Sequence, residues 1–137
     1  MIVVDTNVIA SLVLPTGSRT DSAMRLLELD RDWCAPVLWR SELTNVLATG
    51  VRTRWFDLDF ALQALDAACD VIGDNEFSVP SAPVLELAAE TGCTAYDAEF
   101  AYLARELSVP LVTLDRQLLR AFPELARSTD DYLSGVR

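Results

Sequence analysis

Short apolar runs alternate with longer stretches of helical periodicity along the chain. The opening run "IVV" at residues 2–4 consists of strand-forming residues and ends at Asp5, where Asp, Thr and Asn replace the apolar side chains. Asp and Asn are frequent helix-cap residues, so this pattern predicts a buried strand that ends at Asp5 and leads into a short helix. A second strand, predicted in "VPLVTLD", ends in the same way at Asp115.

The remaining stretches complete an alternation of strands and helices. Further short strands are predicted in "WCAP", in "FSVP" and near residues 126–129. The predicted helices are "VIASLVL", stopped by Pro15 and Gly17; "TDSAMRLLELD", with Thr20 or Asp21 as N-cap; a helix from about Leu38 to Thr49, ending at Gly50; "DLDFALQALDAAC"; "APVLELAAETG"; "TAYDAEFAYLAREL"; and "RQLLRAF". This alternation predicts an α/β fold whose central parallel sheet is covered by helices on both faces. The 137 residues show no repeat or linker, so we expect a single domain over residues 1–137.

The composition limits the chemistry that the chain can perform. It contains no His, and all eleven basic residues are Arg. Without His, Ser-His-Asp and Cys-His nucleophile systems and HExxH metalloproteases are excluded; without Lys, so are a Walker lysine and a Schiff base. An enzyme built from this chain therefore works mainly with carboxylates, hydroxyl groups and Arg. The net charge of −10 argues against a polyanionic substrate unless cations neutralise it locally.

Cysteine usage and hydropathy indicate a cellular location. Cys34, Cys69 and Cys93 are odd in number and lack CxxC spacing, which is typical of reduced thiols. No segment approaches the ~20 continuous apolar residues of a membrane span, and the first residues lack the basic region and cleavage site of a secretion signal. We therefore expect a cytoplasmic protein that does not associate with a membrane.

Four acidic residues are candidates for a functional site, and each also has a structural interpretation. Asp5 and Asp115 could cap the helices that follow them, Asp97 could complete a capping box with the residue three before it, and Glu42 could be a solvated helix residue. Asp5 and Asp115, however, follow strands whose carboxyl ends share the sheet edge where ligands bind in α/β proteins, and the other two can face that edge. Helix capping can account for each carboxylate separately, but it does not explain why four carboxylates would face one crevice.

The chemistry of such a cluster follows from its charge. Four neighbouring carboxylates repel one another and need cations between them, and hard oxygen ligands favour Mg²⁺ or Mn²⁺ over Zn²⁺. One or two such ions activate water and stabilise the leaving oxygen in phosphodiester cleavage, without a protein nucleophile or His. Hydroxyl and amide side chains that could support the metal ligands stand close by in the sequence: Thr6, Asn7, Asn45 and Thr113.

Four segments carry a family resemblance. In this order, "IVVDTNVI", "SELTNVL", "TAYDAEFAYLA" and "VPLVTLDRQLL" resemble the acidic motifs of PIN-domain ribonucleases, and within that family the chain most resembles the VapC-type toxins of bacterial toxin–antitoxin pairs. The resemblance spans residues 2 to about 119. It implies a three-layer α/β/α sandwich with a central parallel sheet, usually dimeric. It also implies a metal-dependent endoribonuclease that a cognate antitoxin silences by covering the site with its C-terminal segment.

The resemblance also assigns roles to residues of this chain. By motif match, the catalytic and metal-binding acids correspond to Asp5, Glu42, Asp97 and Asp115, with Mg²⁺ or Mn²⁺ as the cofactor. The supporting positions correspond to Thr6, Asn7 and Thr113. Proximity to the motifs makes Arg19, Arg40, Arg116 and Arg120 candidate RNA contacts, although ordinary surface positions or internal ion pairs would explain them equally well. Glu99, two residues past Asp97, is expected to point to another side of its helix and to be a surface residue.

The resemblance leaves partners and rival functions to be weighed. Residues of "WCAPVLW" and "VRTRWFDLDF" either form a surface for a second copy or an antitoxin helix, or belong to the core, as Trp39 and Trp55 could. The excess negative charge would attract a basic antitoxin segment. A DNA-directed or RNA-processing PIN nuclease and an inactive PIN binding module are alternatives. A receiver or haloacid-dehalogenase-like phospho-acceptor domain is another, although Asn7 and the lack of Lys disfavour it.

Overall fold

The computed structural model describes residues 1–135, which form five strands and eight helices. The strands are β1 (Ile2–Val4), β2 (Trp33–Pro36), β3 (Glu76–Phe77), β4 (Leu111–Val112) and β5 (Ala126–Arg127). The helices are α1 (Thr6–Val13), α2 (Ser18–Leu29), α3 (Trp39–Arg52), α4 (Leu58–Ile72), α5 (Ser81–Thr91), α6 (Ala95–Leu107), α7 (Arg116–Ala121) and α8 (Thr129–Ser134). None of the helices described for these residues has the length and apolar character needed to cross a membrane.

The strands form one parallel sheet in the order β3-β2-β1-β4-β5. In the central strand β1, Ile2 pairs with Trp33 and Val3 pairs with Leu111. All three residues of β1 are fully buried. Because successive strand residues point to opposite faces, both faces of the sheet must be covered. This arrangement confirms the predicted α/β/α sandwich with a central parallel sheet.

The strand order places a crevice beside β1. From β1 the chain builds the sheet outward through β2 and β3, and it then returns to add β4 and β5 on the opposite side. Ligands of open parallel sheets bind at the carboxyl ends of the strands where the order reverses in this way, here between β1 and β4. Asp5 directly follows β1, and its backbone N–H donates to the carbonyl oxygen of Val112 in β4 at 2.9 Å. The first acidic motif therefore lies at the switch point.

Two predicted helix boundaries are wrong for local reasons. Helix α2 begins at Ser18 and not after Thr20 or Asp21, because the Thr20 hydroxyl donates to the carbonyl oxygen of Leu14 at 2.6 Å and does not cap the helix. Helix α3 continues through Gly50 to Arg52. Gly50 is a packing residue in the helix, since a Cβ atom there would overlap the ring of Phe56.

Two further differences concern the smallest elements. Strand β3 comprises Glu76–Phe77 and so begins one residue before the predicted "FSVP". Helix α8 was not predicted, although Ser128 caps it by accepting from the N–H of Asp131 at 3.1 Å. The sequence "STDD" carried that capping signal, but only six residues follow it in the helix, too few to show an apolar period.

Candidate active site at the carboxyl edge of the sheet

The carboxylate of Asp5 is the most enclosed acidic group of the predicted site. The residue is only 5% exposed. Its Oδ1 accepts from the backbone N–H of Thr6 at 2.7 Å, and its Oδ2 accepts from the hydroxyl of Thr113 at 2.7 Å and from the amide of Asn7 at 3.4 Å. Asp5 therefore does cap α1, as its simplest interpretation predicts. The bond from Thr113, on the far side of the crevice, goes beyond a cap and fixes the carboxylate between two strands.

Thr113 and Asn7 also join the two loops that flank the crevice. The hydroxyl oxygen of Thr113 accepts from the backbone N–H of Asp115 at 3.0 Å, and Oδ1 of Asn7 accepts from the backbone N–H of Leu114 at 3.2 Å. Thr113 has no exposed surface. Each of these side chains thus contacts Asp5 and the loop after β4, which holds the first and fourth acidic motifs in a fixed relation.

Glu42 is tied to the same site by a single bond. It lies in the first turn of α3, is half-buried, and accepts from the hydroxyl of Thr6 at 2.7 Å through Oε1. Thr6 is itself buried and follows Asp5 directly. The sequence-predicted supporting residues Thr6, Asn7 and Thr113 therefore all contact acidic side chains of the site. Asn45 is exposed, and its side chain forms no hydrogen bond within residues 1–135.

The cap interpretations of Asp97 and Asp115 hold only in part. Thr94 caps α6 by accepting from the backbone N–H of Asp97 at 3.1 Å, but within residues 1–135 the Asp97 carboxylate accepts no hydrogen bond from the backbone N–H of Thr94, so the capping box is not reciprocal. A side-chain hydrogen bond with Thr94 acts to lower the pKa of Asp97. Oδ1 of Asp115 accepts from the backbone N–H groups of Gln117 and Leu118 at 2.7 and 3.3 Å, which caps α7. Its Oδ2 has no protein donor among the described residues.

The acidic groups influence one another electrostatically. Burial raises the pKa of Asp5 to about 7 against the opposing hydrogen bond from Thr113, and the negative charges of Asp97 and Glu42 raise it further. Burial is likewise the main cause that raises the pKa of Glu42 and of Asp97, followed by the charge of Asp97 on Glu42 and of Asp115 on Asp97. No Arg within residues 1–135 forms an ion pair with any of the four. The crevice therefore concentrates negative charge that no cationic side chain of residues 1–135 neutralises.

Glu99 corrects one sequence expectation. It was predicted to be a surface residue, but it is half-buried, and its pKa is raised first by burial and then by the charge of Glu42. The cause is the packing of α5 on α6, since residues from the first turns of α5 line a pocket together with Glu99. A sequence spacing gives the direction of a side chain around its own helix and does not reveal which neighbour covers it. Glu99 therefore borders the acidic site.

The four candidate Arg residues behave differently. Arg40 makes a bidentate ion pair with Glu76, at 2.7 Å from Nε and 2.9 Å from Nη2, and lies over the ring of Trp39. This is the internal ion pair that the sequence allows as an alternative to RNA contact, and it occupies the guanidinium group of Arg40. The other candidates are exposed and form no ion pair within the described residues: Arg19, Arg116 and Arg120.

Comparison with known proteins identifies the family. The sequence profile of the PIN domain matches residues 2–124. The chain belongs to the PIN domain family. Ribonuclease VapC3 from Pyrobaculum aerophilum is 29% identical to this PIN domain over 127 residues, which cover 90% of this chain and 96% of that protein. The crystal structure of PAE2754 from Pyrobaculum aerophilum matches with a TM-score of 0.73 and 26% identity over 98% of this chain and 94% of that one.

PIN-domain ribonucleases generally depend on divalent metal ions, and the donor set of this PIN domain is compatible with one. Within residues 1–135, no three Asp, Glu or Cys side chains stand close enough together to hold a metal ion by protein ligands alone. Mg²⁺ does not require this, because it keeps several waters and binds through one or two carboxylates. The carboxylate oxygen atoms of Asp97 and the Oδ2 atom of Asp115 are hard ligands of the type it prefers. The residues present therefore fit a hydrated divalent cation.

Proposed function

We propose that this PIN domain is a Mg²⁺- or Mn²⁺-dependent endoribonuclease and the toxin of a type II toxin–antitoxin pair. The observation that carries the proposal is the buried carboxylate of Asp5, held at the switch point of the sheet near further acids that form no ion pair within residues 1–135. These acids repel one another, and a divalent cation between them would relieve the repulsion. Helix capping alone does not explain why the acids lie together. The similarity to a ribonuclease of the VapC type supports RNA as the substrate. We also propose that residues 1–137 form a single nuclease domain.

Each acid has a distinct place in the proposed site. Asp5, Glu42, Asp97 and Asp115 would hold a hydrated metal ion, one or two of them directly and the others through its waters, and the bound ion would supply an acidified water and stabilise the charge that develops on the phosphodiester. Thr113 and Asn7 keep the Asp5 carboxylate oriented, because both donate to its Oδ2. Thr6 orients Glu42 in the same way. The capping bonds of Asp115 fix one of its oxygens and leave the other for the cation.

RNA binding has to overcome the negative charge of the chain. The exposed guanidinium groups of Arg116 and Arg120 lie on α7, immediately after Asp115, and Arg19 lies at the start of α2. These three are the proposed phosphate contacts, whereas Arg40 is engaged with Glu76 and is not among them. With few basic contacts, the affinity for RNA should depend only weakly on salt. Each phosphate contact adds about one unit to the slope of log affinity against log salt concentration.

The proposed activity has a direct test. Purified protein is expected to cut structured RNA in the presence of Mg²⁺ or Mn²⁺ and to lose at least about 99% of that rate in EDTA, with recovery when Mn²⁺ is restored. Gel analysis of labelled RNA would measure it. A DNA strand of the same sequence tests the DNA-directed alternative, and labelling by acetyl phosphate tests the phospho-acceptor alternative. Undiminished cleavage in EDTA would contradict the mechanism.

We further propose a homodimer and a basic antitoxin as partners. Trp39 is part of the core, so that part of the predicted aromatic patch is structural. Around the turn between α3 and α4, however, Trp55, Leu58 and Leu62 are each at least half exposed, which supports a surface for a second copy. A separate apolar groove of about 480 Å³ runs between α1, α2 and α4 past Met24 and Phe60. Its apolar lining suits the apolar face of an amphipathic antitoxin helix, and basic residues on that helix would match the net charge of −10.

The dimer can be tested by light scattering. At tens of micromolar, the protein is expected to show twice its chain mass of 15.1 kDa. Trp55→Ala should shift it toward monomer, because large aromatic residues dominate the energetics of interfaces. Leu29→Ala removes another exposed apolar side chain, at the end of α2, and should leave the mass unchanged. A parent protein that is monomeric at this concentration would exclude the dimer.

A further inference from the structure

A pocket of about 460 Å³ is lined in part by α6, the helix that carries Asp97. Its walls come from the loop after β3 and the first turns of α5 and α6, and they are small or apolar, including Val79, Ala82, Leu85 and Ala95. Glu99 is the only ionisable residue in this wall. Sites for small organic groups typically measure roughly 300–1,000 Å³ and combine apolar walls with a few polar groups that orient the ligand. The pocket has this composition.

The carboxylate of Glu99 stands without a partner among residues 1–135. Although it is half-buried, it accepts no hydrogen bond and forms no ion pair within residues 1–135. A carboxylate that is partly withdrawn from water without a donor is unfavourable, and an apolar residue would complete this wall at lower cost. The Glu99 carboxylate is therefore suited to accept a hydrogen bond from a ligand in the pocket.

The pocket adjoins the proposed catalytic crevice, because Ala95 and Glu99 of its wall stand two residues before and two residues after Asp97 in α6. Glu99 belongs to its wall and is also close enough to Glu42 to feel the charge of that residue. Glu42 in turn accepts from Thr6, the neighbour of Asp5. A group in the pocket would therefore lie next to an RNA phosphate held at the acids, and the nearest part of such a substrate that is flat and largely apolar is a nucleobase.

We propose that this pocket binds one nucleobase of the RNA substrate beside the cleaved bond, and that Glu99 selects guanine. The inference rests on the proposed ribonuclease activity. A carboxylate only accepts hydrogen bonds, and guanine presents two adjacent donors, N1–H and N2–H, to its two oxygens. Adenine and cytosine each present one amino group beside a ring acceptor that repels the carboxylate, and uracil presents one N–H between two carbonyl oxygens. Reading of unstacked bases at these edges is the usual mode of specific RNA recognition.

Base preference provides the test. The probes are single-stranded oligoribonucleotides of uridines that carry one guanosine, inosine, adenosine or cytidine at the same position. Inosine lacks the N2 amino group and removes one of the two proposed bonds. With Mn²⁺, the parent is expected to cleave beside guanosine about tenfold or more faster than beside inosine in kcat/KM, the value of one hydrogen bond to a charged group. Equal rates beside all four bases would overturn the assignment.

Variants distinguish guanine selection by Glu99 from a general loss of activity. Glu99→Gln keeps the shape but offers a donor and one acceptor, and it should bring the guanosine-to-inosine ratio close to one while cleavage continues. Glu90→Gln removes an exposed carboxylate from α5 and should keep the parent ratio. Ala82→Leu, which fills the pocket, should slow cleavage beside guanosine more than beside uridine. A Glu99→Gln protein that retains the parent ratio would overturn the proposal.

A readout without cleavage distinguishes failure of the pocket from failure of the nuclease. Millimolar guanosine monophosphate should shift the methyl resonances of Ala82 and Ala95 in the parent. Uridine monophosphate should cause no such shift, and guanosine monophosphate should cause none in the Glu99→Gln protein. If RNA is cut but neither the base preference nor the shift is found, the pocket assignment fails and the ribonuclease stands. If guanosine monophosphate binds but no RNA is cut in any metal, the ribonuclease fails, and with it the role of the pocket in RNA selection.

Discussion

Asp5→Asn is expected to make the metal-free protein more stable at pH 8 and at the same time to remove RNA cleavage. The folded protein has to ionise Asp5 in a buried position where burial has raised its pKa to about 7. The Asn side chain carries no charge but can still accept from the backbone N–H of Thr6. It loses the good bond to Thr113, which offsets part of the gain. We expect a net increase in the free energy of unfolding of about 2 kcal/mol.

The same substitution should reduce the cleavage rate by on the order of 10³-fold, as losses of central electrostatic groups in active sites do. It should also remove most of the added stability that saturating Mg²⁺ gives the parent, which amounts to about 2.7 kcal/mol at a hundredfold excess over the dissociation constant. Thermal melts in EDTA and in Mg²⁺, together with a cleavage assay, measure all three effects.

A matched control exists in another Asp N-cap. Asp57 caps α4 by accepting from the backbone N–H of Phe60 at 2.8 Å, but it is exposed and lies outside the acidic site. Asn caps helices about as well as Asp, so Asp57→Asn should leave stability, metal response and cleavage near those of the parent. If Asp5→Asn behaves like Asp57→Asn in all three measurements, Asp5 is only a cap and the proposed metal site is wrong.

The sequence predicted the sheet and its acidic edge because both depend on local signals. A run such as "IVV" followed by Asp5 encodes a strand and its end within four residues, and the position of the carboxyl ends follows from a parallel sheet. The residues that follow the strands, including Thr113, could be placed at the edge for the same reason. Their hydrogen-bond partners could not be predicted, because the bond between Thr113 and Asp5 joins residues that are 108 positions apart in the sequence.

Tertiary contacts decide between the two alternatives that the sequence left open for Arg40, and they explain why the expectation for Glu99 was wrong. Arg40 stands two positions before an acidic motif, yet its guanidinium pairs with Glu76, which the sheet brings next to it through the pairing of β2 with β3. Glu99 was placed by its spacing on α6, whereas its environment is set by α5, an element packed against it. In both cases the deciding contact belongs to tertiary structure, and a helical period carries no information about it.

In EDTA, the stability of the parent relative to Asp5→Asn should fall as the pH rises from 4 to 8. Asp5 has an ordinary pKa of 3.8, which applies to the unfolded chain, and a pKa of about 7 in the folded protein. Between these values the folded protein holds a proton that the unfolded chain has released. Stability then decreases with rising pH by up to about 1.4 kcal/mol per unit. The difference of about 3 units sets an upper limit of ~4 kcal/mol, most of it lost by pH 7.

Comparison with the variant isolates this effect, because other groups titrate in the same range. Glu42 and Asp97 also have raised pKa values, whereas the hydrogen bond from Arg40 lowers the pKa of Glu76 and has the opposite influence on stability. Urea unfolding of parent and Asp5→Asn at pH 4.5, 6 and 8 gives the difference at each pH. Saturating Mg²⁺ binds the ionised carboxylates and should reverse the trend in the parent alone. A difference that stays constant from pH 4.5 to 8 would mean that the folded protein does not hold Asp5 protonated near neutrality, and that no charge repulsion at this edge awaits a cation.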